Sequence, residues 1–449
     1  MGNHLLFFNI NDSLIVYQNI GDIMNKRRII ICTMLAIFLL FISSALIFFK
    51  PVVAEKKNEL QTSGVGIMEK KINTTIPKVY FSGDMENMNS KKDIRDIKVI
   101  YKDGKQELKC YATIKVQGSS SLAYEKKNYT INLFKDSNHS KKYAYDFGFG
   151  KQSKYCLKAN WIDKTHSRNI VSARLSAELQ RLSNRFPDAP NNGLIDGFPV
   201  EIYLNDEFLG LYTWNIPKDE WLWNLDKEDK MNVVVTFDAH TSQAQFKELI
   251  TNPDEALFEV EVGEYSEELK ENYNRLISFV KDSSDEEFVQ NYEQYLDKES
   301  SINYAIMLYV LNGIDNLDKN MMLVSYDQKY WYPSLYDLDT TFGTNWDGKS
   351  TVSYDFDPAI GDCLLWNRFI SLFHDDIVER YSYYRQHYIT KGHIMYLLNE
   401  FALSIPEQTI QAEREKWPDA PGYDYSQIEE YLDYKLPYLD NLFGVTIEE

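Results

Sequence analysis

From Pro77 onward the spacing of apolar and polar residues predicts strands. Lys78 to Ser82, Ile97 to Tyr101 and Glu107 to Gln117 alternate or run apolar, and Asp103-Gly104 supplies a hairpin turn between the last two. Gly118-Ser119-Ser120-Ser121 interrupts the pattern, which resumes over Lys126 to Leu133. A period of two puts Lys127, Tyr129, Ile131 and Leu133 on one face of that strand. Lys154 to Trp161 is a further strand-like run. Asp163 and Thr165 precede a predicted helix from Arg168 to Leu182, whose Ile170, Leu175 and Leu179 keep helical spacing. Val200 to Leu204 and Phe208 to Trp214 read as a hairpin around Asn205-Asp206, and Pro217 bars its continuation as a central strand.

The second half changes period. Ser266 to Lys281, Glu286 to Leu296, Ser301 to Leu311, His374 to Tyr388, Lys391 to Ser404, Pro406 to Glu415 and Ser426 to Leu442 all carry helical spacing. Among them, Met321 to Tyr326 and Tyr330 to Leu335 read as two short strands joined at Asp327-Gln328-Lys329. The order predicts an α+β fold of two lobes, a β-rich N-lobe over 77–219 and a helical C-lobe over 220–449.

Upstream, Ile29 to Phe49 is an apolar run of 21 residues without a charge, matching the roughly 20 that cross a bilayer as a helix. Lys26, Arg27 and Arg28 precede it, so the positive-inside rule keeps residues 1–28 cytoplasmic and sends the body outside. Signal peptides have apolar cores of about 7–15 residues, which favours an uncleaved anchor over cleavage at Val52-Val53-Ala54 and secretion. Residues 50–76 are polar and lack a period, as a tether does.

Composition narrows the class. A 44% hydrophobic content argues for a packed body over a disordered one, and the formal net charge of −19 speaks against non-specific nucleic-acid binding. Outside the apolar run the cysteines are Cys110, Cys156 and Cys363, too few for a disulfide framework. Cys110 with Cys156 stays open as a pair, with buried free thiols as the default.

The candidate chemistry lies in Leu311 to Gly343. Asp315-Asn316-Leu317-Asp318-Lys319-Asn320 precedes the predicted hairpin, and Tyr336-Asp337-Leu338-Asp339-Thr340-Thr341-Phe342-Gly343 follows it. The hairpin would bring both acidic groups to one end. Carboxylates gathered there repel unless a divalent cation sits among them, and Mg²⁺ prefers such oxygen ligands together with substrate phosphates. Asp and Asn as ordinary turn and cap residues are the other account. Lys127, on an apolar strand face, needs a partner because an unpaired buried charge is costly. The Gly118 to Ser121 turn beside it can present backbone N–H groups to a phosphate, or be a plain turn.

Taken in order, these stretches resemble the spore-coat protein H (CotH) kinase family. Gly118-Ser119-Ser120-Ser121 with Lys126-Lys127-Asn128-Tyr129 is similar to its Gly-x-Ser-Ser…Lys-Lys-x-Tyr element. Asn160-Trp161-Ile162-Asp163…Arg168-Asn169, Tyr203-Leu204-Asn205…Gly210-Leu211-Tyr212, Asp337 to Gly343 and Glu379-Arg380-Tyr381…Arg385 come at the expected places. The resemblance spans Pro77 to Phe443. It implies an atypical protein-kinase-like fold that binds ATP between its lobes with Mg²⁺ or Mn²⁺ and phosphorylates Ser, or Thr, of a surface or coat protein. Asp315 and Asn320 match the acid-x₄-Asn spacing of a kinase catalytic loop, which makes Asp315 the catalytic base and Asn320 a metal ligand. Asp337 and Asp339 stand in for the metal-binding Asp that ordinary kinases place before Phe-Gly. Lys127 would contact phosphate oxygens under a cover of Gly118, Ser119, Ser120 and Ser121, with Glu178 as its partner. This chain departs from the pattern twice. Gly313-Ile314 replaces the His-Arg that precedes the catalytic Asp, and no Glu stands near Asn215 to help hold adenine.

Three other functions compete. Asp337-x-Asp339-x-Thr341 matches the signature of haloacid-dehalogenase-type phosphatases, where the first Asp is a nucleophile after a strand of a parallel α/β domain. An Asp-x-Asp glycosyltransferase is a second. A non-catalytic surface adhesin or envelope scaffold on a kinase-like fold is the third, since fold does not fix function. His374 and the Trp residues at 221, 223, 331, 346 and 366 read as core or surface packing residues, not as ligands.

Overall fold

The computed structural model describes residues 76–447 apart from residue 187. The predicted membrane span and the tail before it lie outside the described residues. Among those described, no helix is long and apolar enough to cross a membrane.

The first part is a closed barrel. Its strands are β1 (Lys78–Ser82), β2 (Arg95–Lys102), β3 (Glu107–Gln117), β4 (Asn128–Phe134), β7 (Lys154–Lys158), β8 (Gly197–Leu204) and β9 (Glu207–Asn215), with the two-residue pair β5 (Tyr145–Asp146) and β6 (Lys151–Gln152) beside it. The order β1-β2-β3-β4-β7-β9-β8 closes through a parallel pairing of β8 with β1, and the other barrel pairings are antiparallel. Alternation explains the inside. On β3, Leu108, Cys110, Ala112, Ile114 and Val116 are buried at every second position. Ile114, Ile131 and Leu157 are fully enclosed, each contributing roughly 1.5–3 kcal/mol. The β8–β9 turn falls at Asn205-Asp206 as the sequence indicates. Both residues take positive φ, 50° and 70°, which suits the turn types that match hairpin twist.

Helices dominate the rest. They are α1 (Arg168–Ser183), α2 (Glu267–Asp282), α3 (Asp285–Asn291), α4 (Lys298–Leu311), α5 (Leu364–Leu372), α6 (His374–His387), α7 (Lys391–Leu403), α8 (Glu407–Lys416) and α9 (Tyr425–Phe443), with one short helical turn at Pro253–Ala256. A four-stranded antiparallel sheet, β11 (Phe258–Val262), β10 (Val233–Phe237), β12 (Met321–Ser325) and β13 (Tyr332–Leu335), is set among them. The β12–β13 hairpin was legible; β10, β11 and α5 were not. Val233 to Phe237 is buried at every position, so it lacks the alternation that marks a half-exposed strand. Helix α1, within the predicted β-rich lobe by sequence, packs its Ile170, Val171, Leu175 and Leu179 into the helical core.

Two burials tie the barrel to the helices. Lys126, fully enclosed, donates to Glu413 of α8 at 2.6 Å and to the Ala159 carbonyl at 3.0 Å, while Glu413 accepts from the Leu211 N–H at 2.7 Å. Arg168, also fully buried, donates from its backbone N–H and from Nη1 to Asp163, at 2.9 and 2.5 Å, and from Nη2 to Gln427 of α9 at 2.6 Å. Cys110, Cys156 and Cys363 are buried free thiols. Removing one member of a buried pair strands the other charge. Lys126→Met should therefore lower stability by roughly 3–5 kcal/mol, read as a shifted denaturant midpoint. Adding Glu413→Gln, which keeps an acceptor for the Leu211 N–H, should restore part of it.

Candidate active site

The outer face of the barrel and the end of the β12–β13 hairpin face each other across a cavity of about 350 Å³. Strand parity sets the barrel wall. Tyr155 and Leu157 fill the barrel interior, so Lys154, Cys156 and Lys158 of β7 line the cavity. Hairpin register sets the opposite wall: Met321 pairs with Leu335, which puts Asn320 and Tyr336 at the same end. Asp315, Lys319, Asn320, Tyr336, Asp337 and Asp339 all line the cavity there. Gly118, Ser119 and Ser121 line it from the β3–β4 connection, where Ser120 opens a short 3₁₀ turn, Ser120–Ala123. Gly118 has φ +110°, and a Cβ there would sit 1.8 Å from Ser121 Oγ, so the turn needs glycine.

Lys158 joins the two walls. Its Nζ donates to Asp337 Oδ1 at 2.8 Å and lies 5.6 Å from the centre of the Tyr336 ring. Burial alone would lower the Lys158 pKa, but Asp337, Tyr336 and Asp339 raise it above the usual lysine value. Burial likewise pushes Asp337 up, and Lys158, Lys218 and Lys319 more than reverse it, leaving that carboxyl below the usual range. Both partners are charged. Asp337 and Asn320 adopt left-handed backbone, φ +55° and +57°, which Asp and Asn tolerate better than most residues.

Helix α1 holds the segment after Asp337. The Leu338 N–H donates to Asn169 Oδ1 at 3.0 Å, Thr341 Oγ1 lies 2.8 Å from Ser172 Oγ, and the Phe342 carbonyl accepts from Gln427 Nε2 at 2.9 Å. Arg168, bonded to the same Gln427, thereby helps fix the acidic segment. Asp337-x-Asp339-x-Thr341 follows an antiparallel strand, whereas the phosphatase signature requires a parallel α/β frame.

A model of the family described as CotH kinase protein matches residues 114–439, well over half of the chain. The chain belongs to the CotH kinase family. No curated protein matches it. Membership is consistent with a kinase-like function in general.

Within this CotH chain, the structure brings Asp315, Asn320, Asp337 and Asp339 together with Gly118, Ser119 and Ser121. It does not bring in Lys127. Strand β4 starts at Asn128, so Lys127 precedes the alternation, and its Nζ donates to the Leu122 and Tyr124 carbonyls at 2.6 and 2.5 Å. Glu178 is not its partner either, since Glu178 pairs with His393 at 2.6 Å. The cavity lysine that meets the acidic segment is Lys158. A signal for it existed: it ends an apolar strand, with the same parity as Cys156 and opposite to Tyr155 and Leu157. His240 and Lys218 also belong to the site region, and no local pattern marks either. Trp346, 62% exposed, is a surface residue that lines the cavity.

Asp339 decides whether a cation fits. Burial, then Asp337, with a smaller push from Asp315 and against the pull of Lys158, raise its carboxyl to about 8. Burial first, and like-charge repulsion after it, penalise the ionised carboxylate, and a divalent cation beside it would favour that form. Among the described residues no three His, Cys, Asp or Glu side chains form a self-sufficient cage. Mg²⁺ does not need one, because it is usually held by one or two carboxylates with substrate phosphates and water. Asp337, Asp339 and the Asn320 amide oxygen are a donor set of that kind.

The sign of the pH effect follows. From the ordinary Asp value up to about 8, the folded chain binds a proton that the unfolded chain has lost, so stability falls as pH rises through that window. Asp339→Asn should remove this slope and raise the melting temperature at pH 8 by a few degrees. Mg²⁺ should raise the wild-type melting temperature at pH 8 and that of the variant less, as followed by differential scanning fluorimetry.

Proposed function

We propose that the chain is an atypical protein kinase of the CotH type, transferring the γ-phosphate of ATP to Ser or Thr of a surface or coat protein. The observation that carries this reading is the Lys158–Asp337 ion pair, 2.8 Å long, in a cavity that also holds Asp315, Asn320 and Asp339. Phosphoryl transfer needs positioning and charge stabilisation above all. Lys158 contacts phosphate oxygens, and the Gly118 to Ser121 turn covers them. Asp337, Asp339 and Asn320 hold Mg²⁺ or Mn²⁺, which when bound neutralises charge on the phosphates. Asp315 orients the acceptor hydroxyl and takes its proton as the Oγ–P bond forms and the bond from the γ-phosphorus to the ADP oxygen breaks. Lys218, with Glu261 in contact, and Glu259 line the cavity beside Pro217. They offer polar groups to the nucleobase where the chain lacks a Glu near Asn215.

The apolar run at Ile29 to Phe49, with its preceding basic cluster, supports a membrane-anchored enzyme whose body faces away from the cytoplasm. Its acceptors are then proteins of the cell surface or coat.

With labelled ATP and Mg²⁺, the wild type should label a Ser-rich basic peptide. Asp315→Asn should lower the turnover rate by about 10²–10⁴-fold while ATP still binds, and Asp337→Ala should abolish Mg²⁺-dependent ATP binding. A folded wild type that neither binds nor transfers would refute the kinase and favour a surface scaffold.

A further inference from the structure

Asp315 lies in the cavity wall with little to hold it. Among the described residues its carboxylate has one ion-pair partner, the His240 ring, whose Nε2 is 3.6 Å from Asp315 Oδ1. The other ring nitrogen, Nδ1, lies 2.5 Å from Oδ1 of Asp318. Asp318 is itself fixed: its side chain is 2% exposed and accepts the Lys319 N–H at 2.7 Å. His240 comes from a distant part of the sequence. It sits just after β10, where the Asp238 N–H donates to the Leu257 carbonyl at 3.1 Å. Asp238 Oδ2 accepts from Ser119 Oγ at 3.1 Å, so the same short segment touches the Gly118 to Ser121 turn.

We propose that His240 is the positioning residue for Asp315, a doubly protonated imidazole that bridges Asp318 and Asp315 and aims the latter at the acceptor hydroxyl. The inference rests on Asp315 being the base. Carboxylates accept hydrogen bonds and cannot donate them when ionised, so a ring placed between two of them is best satisfied with protons on both nitrogens. The groups facing the ring are the Asp315 and Asp318 carboxylates of the loop after α4. Behind Asp318 lie the buried Cys363 thiol and Tyr304 phenol, both pushed up mainly by burial and neutral near pH 8. The Asp315 carboxylate, 3.6 Å away, and the Asp318 carboxylate, hydrogen-bonded at 2.5 Å, raise the ring to about 9 against the opposing effect of burial. Gly313-Ile314 brings no side-chain donor to Asp315, whereas His240, from the segment just after β10, sets a ring nitrogen 3.6 Å from it. A cation there also offsets part of the repulsion between Asp315 and Asp339.

His240→Gln, which keeps one donor and loses the charge, should lower the turnover rate about 10- to 100-fold with the KM for ATP within about twofold. His240→Arg, which can reach two carboxylates and keeps the charge, should recover most of the rate. If His240 acts through Asp315, adding His240→Gln to Asp315→Asn should cost nothing further. A His240→Gln enzyme with wild-type turnover, or one whose loss adds in full to that of Asp315→Asn, overturns the proposal. Full activity in Asp315→Asn would instead overturn the assignment of the base. A measurement independent of activity is the ¹⁵N shift of the His240 ring at pH 8, expected to report both nitrogens protonated in the wild type and a larger neutral fraction in Asp318→Asn. A neutral ring in the wild type contradicts the proposal whether or not phosphate is transferred.

Discussion

The ion pair between Lys158 and Asp337 is the constraint on which the rest of the site depends. It joins a barrel strand to the acidic segment after β13 and closes one side of the cavity. A lysine buried without a partner would lose its charge, and a carboxylate beside Asp339 without a cation would gain a proton. Each group is ionised because the other is there. The pair also fixes which way the end of the hairpin faces, since Asp337 reaches Lys158 from a left-handed backbone position.

Around this pair the molecule places charge in layers. Asp339 stands next to Asp337, and burial together with that repulsion favours its protonated form. Asp315 is set farther along the wall with His240 beside it. Behind the cavity, Arg168 links Asp163 to Gln427, and Gln427 in turn holds the Phe342 carbonyl. These buried contacts serve geometry more than net stability, since buried ion pairs often gain little over apolar packing. They hold the acidic segment against α1, so that its carboxylates meet the barrel at a fixed depth.

Much of this was legible in the sequence because it is local. Alternation gave the barrel strands, Asn205-Asp206 gave a hairpin turn, and the β12–β13 hairpin showed why Asn320 and Asp337 share one end. The acidic site residues stood out for the same reason, lying within one continuous stretch. What stayed hidden depends on tertiary placement. Val233 to Phe237 is enclosed on both faces and shows no period. Lys127 was assigned to a strand face although the strand begins one residue later, at Asn128. Lys158 has the opposite parity to the core residues Tyr155 and Leu157, and its partner Asp337 lies far along the chain. His240 reaches Asp315 from the end of β10, a strand that the sequence did not reveal.

The most direct test is calorimetric binding of MgATP to the purified full chain, comparing Lys158→Met with Lys127→Met. If Lys158 anchors the nucleotide site, Lys158→Met should lose binding while Lys127→Met keeps wild-type affinity. Retained binding in a folded Lys158→Met, with loss in Lys127→Met, would contradict the site described here.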